Sequence, residues 1–259
     1  MLRFSRLSVI LALAACGAAS GAANAQSKST RVSWAPSYGG SCVSCDLRGR
    51  NMSGGDISAA HYPKANVSGA FLRGTRALNI DLSDAMAKGT DFRRATLDGS
   101  RLSNTRFEGS RFERASLLNV NLSGASLSDT HLTGARLGVA NATGTDFSRA
   151  RASGTDFTGA NLTGAIFNGA ILREAQFNNA ILNGTSFANA DLHGARITNI
   201  RLINVSFEGA TGLESTNFEG SCAGENTNVP AGIALLSCQA VRLPGAEELR
   251  GGLIQTAGQ

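Results

Sequence analysis

The sequence contains little proline, few aromatic residues and few histidines. Among its 259 residues are 4 Pro, 3 His and 1 Trp, and aromatic residues make up 6% of the chain. With so little proline, and without glycine at every third position, the chain cannot form a collagen-like triple helix. It is not disordered throughout either, because 42% of its residues are hydrophobic and disordered chains lack such residues. The 31 glycines instead indicate regular tight turns, and therefore internal repeats.

The start of the chain has the features of an export signal. Arg3 and Arg6 supply positive charge, and an apolar run follows from Leu7 to Ala15. That run is too short to span a bilayer as a helix, and no later segment is long and apolar enough to do so. We therefore expect an exported protein, periplasmic or secreted, without a transmembrane segment in its mature form.

Two cleavage sites for this signal remain open. The small-x-small sequence Ala23–Ala25 would make residues 1–25 a signal peptide. The sequence Leu13–Cys16 resembles the lipobox of bacterial lipoproteins, in which residues 1–15 are removed and the cysteine is lipidated. In that case, Cys16 would anchor the protein to a membrane.

The body of the chain is an uninterrupted repeat. From Cys45 to Gly209 it divides into 33 blocks of five residues, and the central residue, counted from Leu47 in steps of five, is always apolar. Two positions earlier the side chain is small in 30 of the 33 blocks, and two positions later the residue is Gly or Asn in 24 of them. A period of five fits neither an α-helix nor a strand. It indicates a chain that turns a corner in every block, because Gly and Asn best tolerate the backbone angles of such corners.

Blocks such as Ala160–Gly164 and Ala190–Gly194 resemble those of the pentapeptide-repeat family. The resemblance covers residues 45–209 and implies an all-β fold, a right-handed quadrilateral parallel β-helix of about eight coils with four blocks each. Charges support this coil length, since outward residues 20 positions apart would be stacked neighbours and are more often of opposite than of like sign. The opposite pairs are Asp56–Arg76, Asp81–Arg101, Lys88–Glu108, Asp91–Arg111, Arg93–Glu113, Asp129–Arg149 and Arg136–Asp156, and the like pairs are Arg73–Arg93 and Arg94–Arg114.

The segments that flank the repeat are expected to cap it. Residues 26–44 would be a linker and N-terminal cap, and residues 210–259 a C-terminal cap with a mobile tail. Four cysteines lie at these ends: Cys42, Cys45, Cys222 and Cys238. The two pairs are too far apart in a β-helix to share a zinc ion, and export favours disulfides. We expect Cys222 and Cys238 to be bonded; whether Cys42 and Cys45 form a structural disulfide, a redox pair or two free thiols stays open.

No catalytic site is evident from the sequence. The three histidines, His61, His131 and His193, do not converge on one another, and the glycines are accounted for by corners rather than by a phosphate-binding loop. We therefore predict no catalytic residue, no metal and no cofactor. A carbohydrate-active β-helix enzyme is the alternative, but no acidic cluster on one face supports it.

Nucleic-acid targets are also not expected. The resemblance implies a third hypothesis, because acidic members of the family mimic DNA and bind type II topoisomerases. This chain departs from them, with a formal net charge of +5 and an export signal. Direct nucleic-acid binding is not favoured either, because we expect no aromatic stacking platform outside the core.

Three outward-facing groups are candidate binding surfaces, and each also fits an ordinary solvated surface. The first is basic and would suit anionic lipid headgroups, polysaccharide or an envelope protein: Arg73, Arg93, Arg94, Arg111 and Arg114. The second is an apolar belt of Ile166, Ile171 and Ile181. The third is a neutral ladder of Ser83, Ser103, Ser123, Thr143 and Thr163 beside Asn121, Asn141 and Asn161. The sequence thus predicts a non-catalytic envelope binding or scaffolding protein, of open oligomeric state.

Overall fold

The computed structural model describes residues 40–229, 233 and 235–238, all within one unit of the chain, Val32–Gln259. The predicted signal peptide, Cys16 and the tail beyond residue 238 lie outside these residues. Within them, regular structure is almost entirely β. No helix of the described residues is long and apolar enough to cross a membrane.

Each five-residue block contributes one residue to a parallel bridge with the residue 20 positions later. These bridges keep one register from Ser41–His61 to Asp191–Thr211. Because this spacing holds four blocks, each coil has four sides, in agreement with the period inferred from the charges. Among the described residues the pairing extends back to Ser41, before the first block predicted at Cys45.

Every block turns at a residue with a left-handed backbone. Gly54 has φ 67° and Gly144 has φ 64°, a conformation that costs glycine nothing because it has no Cβ. Other residues occupy the same corner position elsewhere, including Arg94 at φ 57°, Arg114 at φ 58° and Val139 at φ 50°. A side chain in this conformation costs roughly 1–2 kcal/mol, so these corners are strained relative to the glycine corners.

Two side chains per block point into the coil, and the larger ones stack along it. The ring centroids of Phe147 and Phe167 are 4.7 Å apart with parallel planes, and those of Phe167 and Phe187 are 5.2 Å apart. A second column contains Phe157 and Phe177, whose rings meet the first column edge-on. The central positions of blocks 20 residues apart therefore form columns of stacked rings inside the coil.

The smaller inward residue is often Ser or Thr, and its hydroxyl is satisfied inside the coil. Thr75 Oγ1 donates to the carbonyl oxygen of Met52 at 2.8 Å, and Thr105 Oγ1 donates to that of Leu82 at 2.6 Å. Each bond joins residues 23 positions apart, so it ties one coil to the next. These hydroxyls are therefore buried without the penalty of an unpaired polar group.

The regular register ends after Thr211, where the coils become longer. Arg196 bridges Asn217, one position beyond the regular spacing, and a short 3₁₀ helix, Leu213–Ser215, lies within the longer coil. Three strands then form a parallel sheet in the order β1 (Arg201–Leu202), β2 (Cys222–Ala223) and β3 (Leu236–Ser237).

Disulfides lie at both ends of the described coil. Cys222 and Cys238 are paired, with Cα atoms 4.9 Å apart, and join β2 to the residue after β3. Cys42 and Cys45 are also paired, with Cα atoms 5.6 Å apart. Cys42 stands at the central position of one block and Cys45 at the small inward position of the next. Their bond therefore replaces a Leu/Ala-type contact in the first described coil.

Replacing Phe167 by Ala should lower the free energy of unfolding by about 3–5 kcal/mol, because it removes a fully buried ring with aromatic neighbours on both sides. Urea denaturation of the parent and the variant measures this. Ile181→Ala is the control, since that side chain is exposed and should change stability by less than about 0.5 kcal/mol. A cost below about 1 kcal/mol for Phe167→Ala would contradict the stacked register.

Candidate functional site

The five arginines singled out in the sequence lie on one side of the coil. Bridges join Phe71 to Asp91, Asp91 to Arg111, Arg111 to His131 and His131 to Arg151, so the blocks that contain these residues are stacked on one another. We call this side, made of these five blocks between residue 70 and residue 154, the basic face. It carries six arginines and two acids: Arg73, Arg93, Arg94, Arg111, Arg114 and Arg151, with Asp91 and Glu113.

Both acids of the basic face are paired with an arginine of their own block. Arg93 donates from Nε to Asp91 Oδ1 at 2.8 Å and from Nη2 to Oδ2 at 2.5 Å. Arg111 donates from Nε and Nη2 to Glu113 Oε1, at 3.1 and 2.8 Å. This differs from the sequence prediction, which paired each arginine with the acid one coil away. The closer pairing arises because residues two apart in a block project from the same side, within reach of the guanidinium fork.

Other ion pairs do form between coils as the 20-position spacing predicted. Three are seen: Arg76–Asp56 at 3.5 Å, Lys88–Glu108 at 3.9 Å and Arg149–Asp129 at 2.7 Å. For the predicted pair of Asp81 with Arg101, the acid instead meets His61, with Nδ1 and Oδ2 3.1 Å apart. The backbone thus makes residues 20 positions apart neighbours, whereas the reach of each side chain decides which acid a basic residue pairs with.

The environment of Asp91 stabilises the ionised form of its carboxyl group. The hydrogen bonds from Arg93 lower the pKa of this carboxyl below its usual value, against the opposing effect of burial, and the nearby charge of Arg111 acts in the same direction. Its side chain is only 12% exposed. The two acids therefore neutralise the arginines beside them and offer little negative charge to a partner.

The remaining arginines of the basic face form no salt bridge with any described residue: Arg73, Arg94, Arg114 and Arg151. Arg94 and Arg114 occupy successive corners one coil apart, so like charges are stacked, and both have left-handed backbones. The Cγ of Arg114 lies against the next corner, at Gly134. The basic face therefore carries positive charges without ionic partners, and two of them lie one coil apart, where they repel each other.

An exposed aromatic side chain lies beside these arginines, and the sequence interpretation missed it. Phe71 is 52% exposed and belongs to the block that contains Arg73. A single exposed ring is not an aromatic stacking platform, but it is an aromatic contact point on this face that the sequence interpretation did not identify. The repeat register could have revealed it, because Phe71 stands at the outward second position of its block rather than at the central one.

The other two surface candidates are weaker. Ile166, Ile171 and Ile181 are exposed but lie on three different sides of the coil, so they form no continuous patch. In the polar ladder, Thr143 Oγ1 donates to Asn141 Oδ1 at 2.8 Å, and Thr163 makes the same bond to Asn161 at 2.7 Å. The ladder thus satisfies much of its own hydrogen bonding.

The histidines stand apart from one another, each near an acid. Besides the contact of His61, His131 Nδ1 lies 3.9 Å from Glu113 Oε1. His193 Nδ1 lies 2.6 Å from Asp191 Oδ1. Among the described residues, no three His, Cys, Asp or Glu side chains are grouped so that they could hold a metal ion.

Similarity to known proteins is found at the level of the repeat and of the fold. A family profile described as "Pentapeptide repeats" matches in 8 copies between residues 64 and 209. HetL, a pentapeptide repeat protein involved in heterocyst differentiation regulation in the cyanobacterium Nostoc sp. strain PCC 7120, is similar in structure with a TM-score of 0.58. The two share 22% identity over 73% of this chain and 87% of HetL, which supports a common fold.

Two further solved structures are similar over shorter or less well superposed regions. QnrB1, a plasmid-mediated fluoroquinolone resistance protein, has 19% identity over 71% of this chain and 89% of its own, with a TM-score of 0.38. Rfr23 from the cyanobacterium Cyanothece 51142 has 24% identity over 52% of this chain and 91% of its own, with a TM-score of 0.25. No curated protein matches the sequence.

Replacing Arg93 by Gln should raise the pKa of Asp91, because the guanidinium hydrogen bonds that lower it are lost while burial remains. An NMR pH titration of the Asp91 carboxyl carbon measures the shift. Since the folded pKa lies below the ordinary value of 3.8, Asp91 stabilises the fold above that pH, and this contribution is lost as the pH falls through the folded pKa. The variant should therefore show less acid-dependent loss of stability. An unchanged titration midpoint would show that Arg93 does not control this carboxyl.

Proposed function

Because the chain belongs to the pentapeptide-repeat family, we propose that it is a non-catalytic binding or scaffolding protein that acts through the surface of its β-helix. We include in this proposal a right-handed coil of about eight turns, the hand that parallel crossover connections favour. A rigid ladder of bridges suits this role, since it fixes surface side chains without requiring a pocket.

The observation that carries the proposal is the crowding of unpaired arginines on the basic face. Arg94 and Arg114 occupy corners one coil apart, so their like charges repel each other and oppose local stability. Features that oppose local stability are expected at functional surfaces. An excess of positive charge on one rigid side attracts anionic partners. We therefore assign the basic face as the surface that meets the partner.

The partner is anionic material of the cell envelope. The sequence features at Arg3, Arg6 and the apolar run support export, to the periplasm or beyond. Lipid headgroups, acidic polysaccharide and acidic envelope proteins all carry the charge that this face would attract. If Cys16 is lipidated, the face would be held close to a membrane as well.

Removal of three unpaired arginines tests the assignment. The variant combines Arg73→Ser with Arg94→Gly and Arg114→Gly, and it should weaken binding to isolated envelope fractions by about tenfold or more at low salt. Stability should not fall, because glycine relieves the left-handed strain at both corners. Co-sedimentation measures binding, and the parent itself should lose affinity as ionic strength rises to about 0.15 M.

The control for this variant removes the same charge from other sides of the coil. Arg101, Arg136 and Arg196 form no salt bridge with a described residue, so changing all three to Ser alters net charge equally. This control should retain most of the binding. If both triple variants bind as the parent does, or weaken equally, the basic face is not the binding surface.

Export is tested separately by the mass of the mature protein. Expressed in a bacterium with both signal peptidases, the chain should be recovered from the envelope or the medium without its first residues. A start at Gln26 would identify a soluble protein, whereas a diacylated or triacylated Cys16 would identify a lipoprotein. Full-length chain recovered only from the cytoplasm would contradict export in either form.

A further inference from the structure

We propose that the partner of the basic face is an acidic polysaccharide, with Phe71 stacked on a sugar ring and the unpaired arginines bound to its carboxylates. The proposal rests on the proposed function and adds the chemical class of the ligand. It depends on the exposed ring, the layout of the charges along the coil axis and the hydroxyl groups between them.

Phe71 is held rigidly but left uncovered. Its N–H donates to the carbonyl oxygen of Arg50, and its own carbonyl oxygen accepts from Met52 N–H, each at 2.8 Å, so its backbone is fixed to the preceding coil. The side chain nevertheless remains half exposed, and it makes no ring contact with another described aromatic residue. An exposed aromatic side chain on a rigid support is a typical anchor for a ligand with a flat apolar surface. The C–H face of a pyranose ring has that shape.

The charges beside the ring follow one another along the coil axis, at different positions within their blocks. Arg73 lies in the block of Phe71, Arg94 and Arg114 lie one and two coils further on, and Arg151 lies four coils on. At the usual strand spacing, the series extends roughly 19 Å along the axis. A linear polymer with regularly placed carboxylates fits such a series better than a single small anion, and each guanidinium can bind a carboxylate through two hydrogen bonds.

Neutral hydrogen-bonding groups are interspersed with the arginines. On the same side of the coil, Ser53 lies one coil before Arg73. Thr133 lies in the block between those of Arg114 and Arg151, and Ser153 lies in the block of Arg151. Hydroxyl groups can both donate and accept hydrogen bonds, as sugar hydroxyls do. The basic face therefore offers the three kinds of contact that an acidic sugar chain requires.

A lipid surface fits these observations less well. Insertion of a protein surface into a bilayer needs several apolar side chains that enter it together. On this side of the coil, the next large exposed apolar residue after Phe71 is Ile171, five coils away and roughly 24 Å along the axis. One ring does not provide the apolar area that insertion requires.

Single-stranded nucleic acid also fits less well. Proteins that bind it stack successive bases on several aromatic side chains along the strand. Between residues 70 and 154, the basic face carries Phe71 as its one exposed aromatic residue. The remaining contacts would all be made to phosphate, and the ring would serve a single base.

The test uses the full chain and polygalacturonate as the probe, with neutral dextran as the uncharged control polymer. Phe71→Ala should weaken polygalacturonate binding about tenfold, which corresponds to about 1.4 kcal/mol, whereas Phe71→Trp should retain it. Met86→Ala is the matched control, because Met86 is 42% exposed at the same block position on another side of the coil, and it should bind as the parent does. Dextran should not bind. Thermal unfolding should be similar for all four proteins, since both side chains are outward.

The outcomes separate this inference from the proposed function. If the arginine variant loses polygalacturonate binding but Phe71→Ala does not, the surface is purely electrostatic; the polysaccharide inference fails and the proposed function stands. If neither variant loses binding to any anionic probe, both fail. Two further probes are phosphatidylglycerol vesicles and single-stranded DNA. Tighter binding to either one than to polygalacturonate, reduced by Phe71→Ala, would overturn the inference in favour of that ligand class.

Discussion

The left-handed corner in every block is the constraint on which the rest of the structure depends. A chain can turn four times in each coil only if one residue in five adopts positive φ, and Gly or Asn does so at the lowest cost. Once the corners are fixed, the inward and outward positions follow, and so does the bridge to the residue 20 positions later. The stacked phenylalanines and the internal Ser and Thr hydrogen bonds are consequences of that repeat. Arg94 and Arg114 are two of several corners that depart from Gly or Asn, and they place like charges one coil apart.

The charges on the surface obey two competing distance relations. Residues one coil apart are neighbours through the bridges, and pairs such as Arg149–Asp129 use that proximity. Residues two apart in a block are also neighbours, and the Arg93–Asp91 pair shows that an arginine fork can prefer this geometry. On the basic face, both acids pair with an arginine two residues away in their own block. The corner arginines are left without ionic partners among the described residues, and this gives that side its electrostatic character.

Much of this fold could be predicted from the sequence because its information is local and repeated. The period of five identifies corners, inward residues and coil length without any knowledge of distant contacts, and the phenylalanine columns follow from it. The C-terminal end was less accessible, because the spacing between coils lengthens there to 21 residues for Arg196 and Asn217 and to 22 for Ser206 and Asn228, and one shifted block, Thr216–Gly220, is the only repeat that indicates the change. Cys42 could have been recognised as an inward residue, since it stands five positions before Leu47. The acid partners of the histidines also escaped notice, although His61 and Asp81 lie one coil apart and bridge each other.

By itself the sequence determined the backbone of this protein, because backbone angles respond to the residue at each corner and the pattern of corners is uninterrupted. It also determined which arginines share a side of the coil. The tertiary structure decided which of those arginines are neutralised, because ion pairing depends on the reach and direction of side chains that a linear spacing does not specify. It likewise decided that Phe71 stays uncovered beside Arg73, since exposure depends on what neighbouring coils place around a residue.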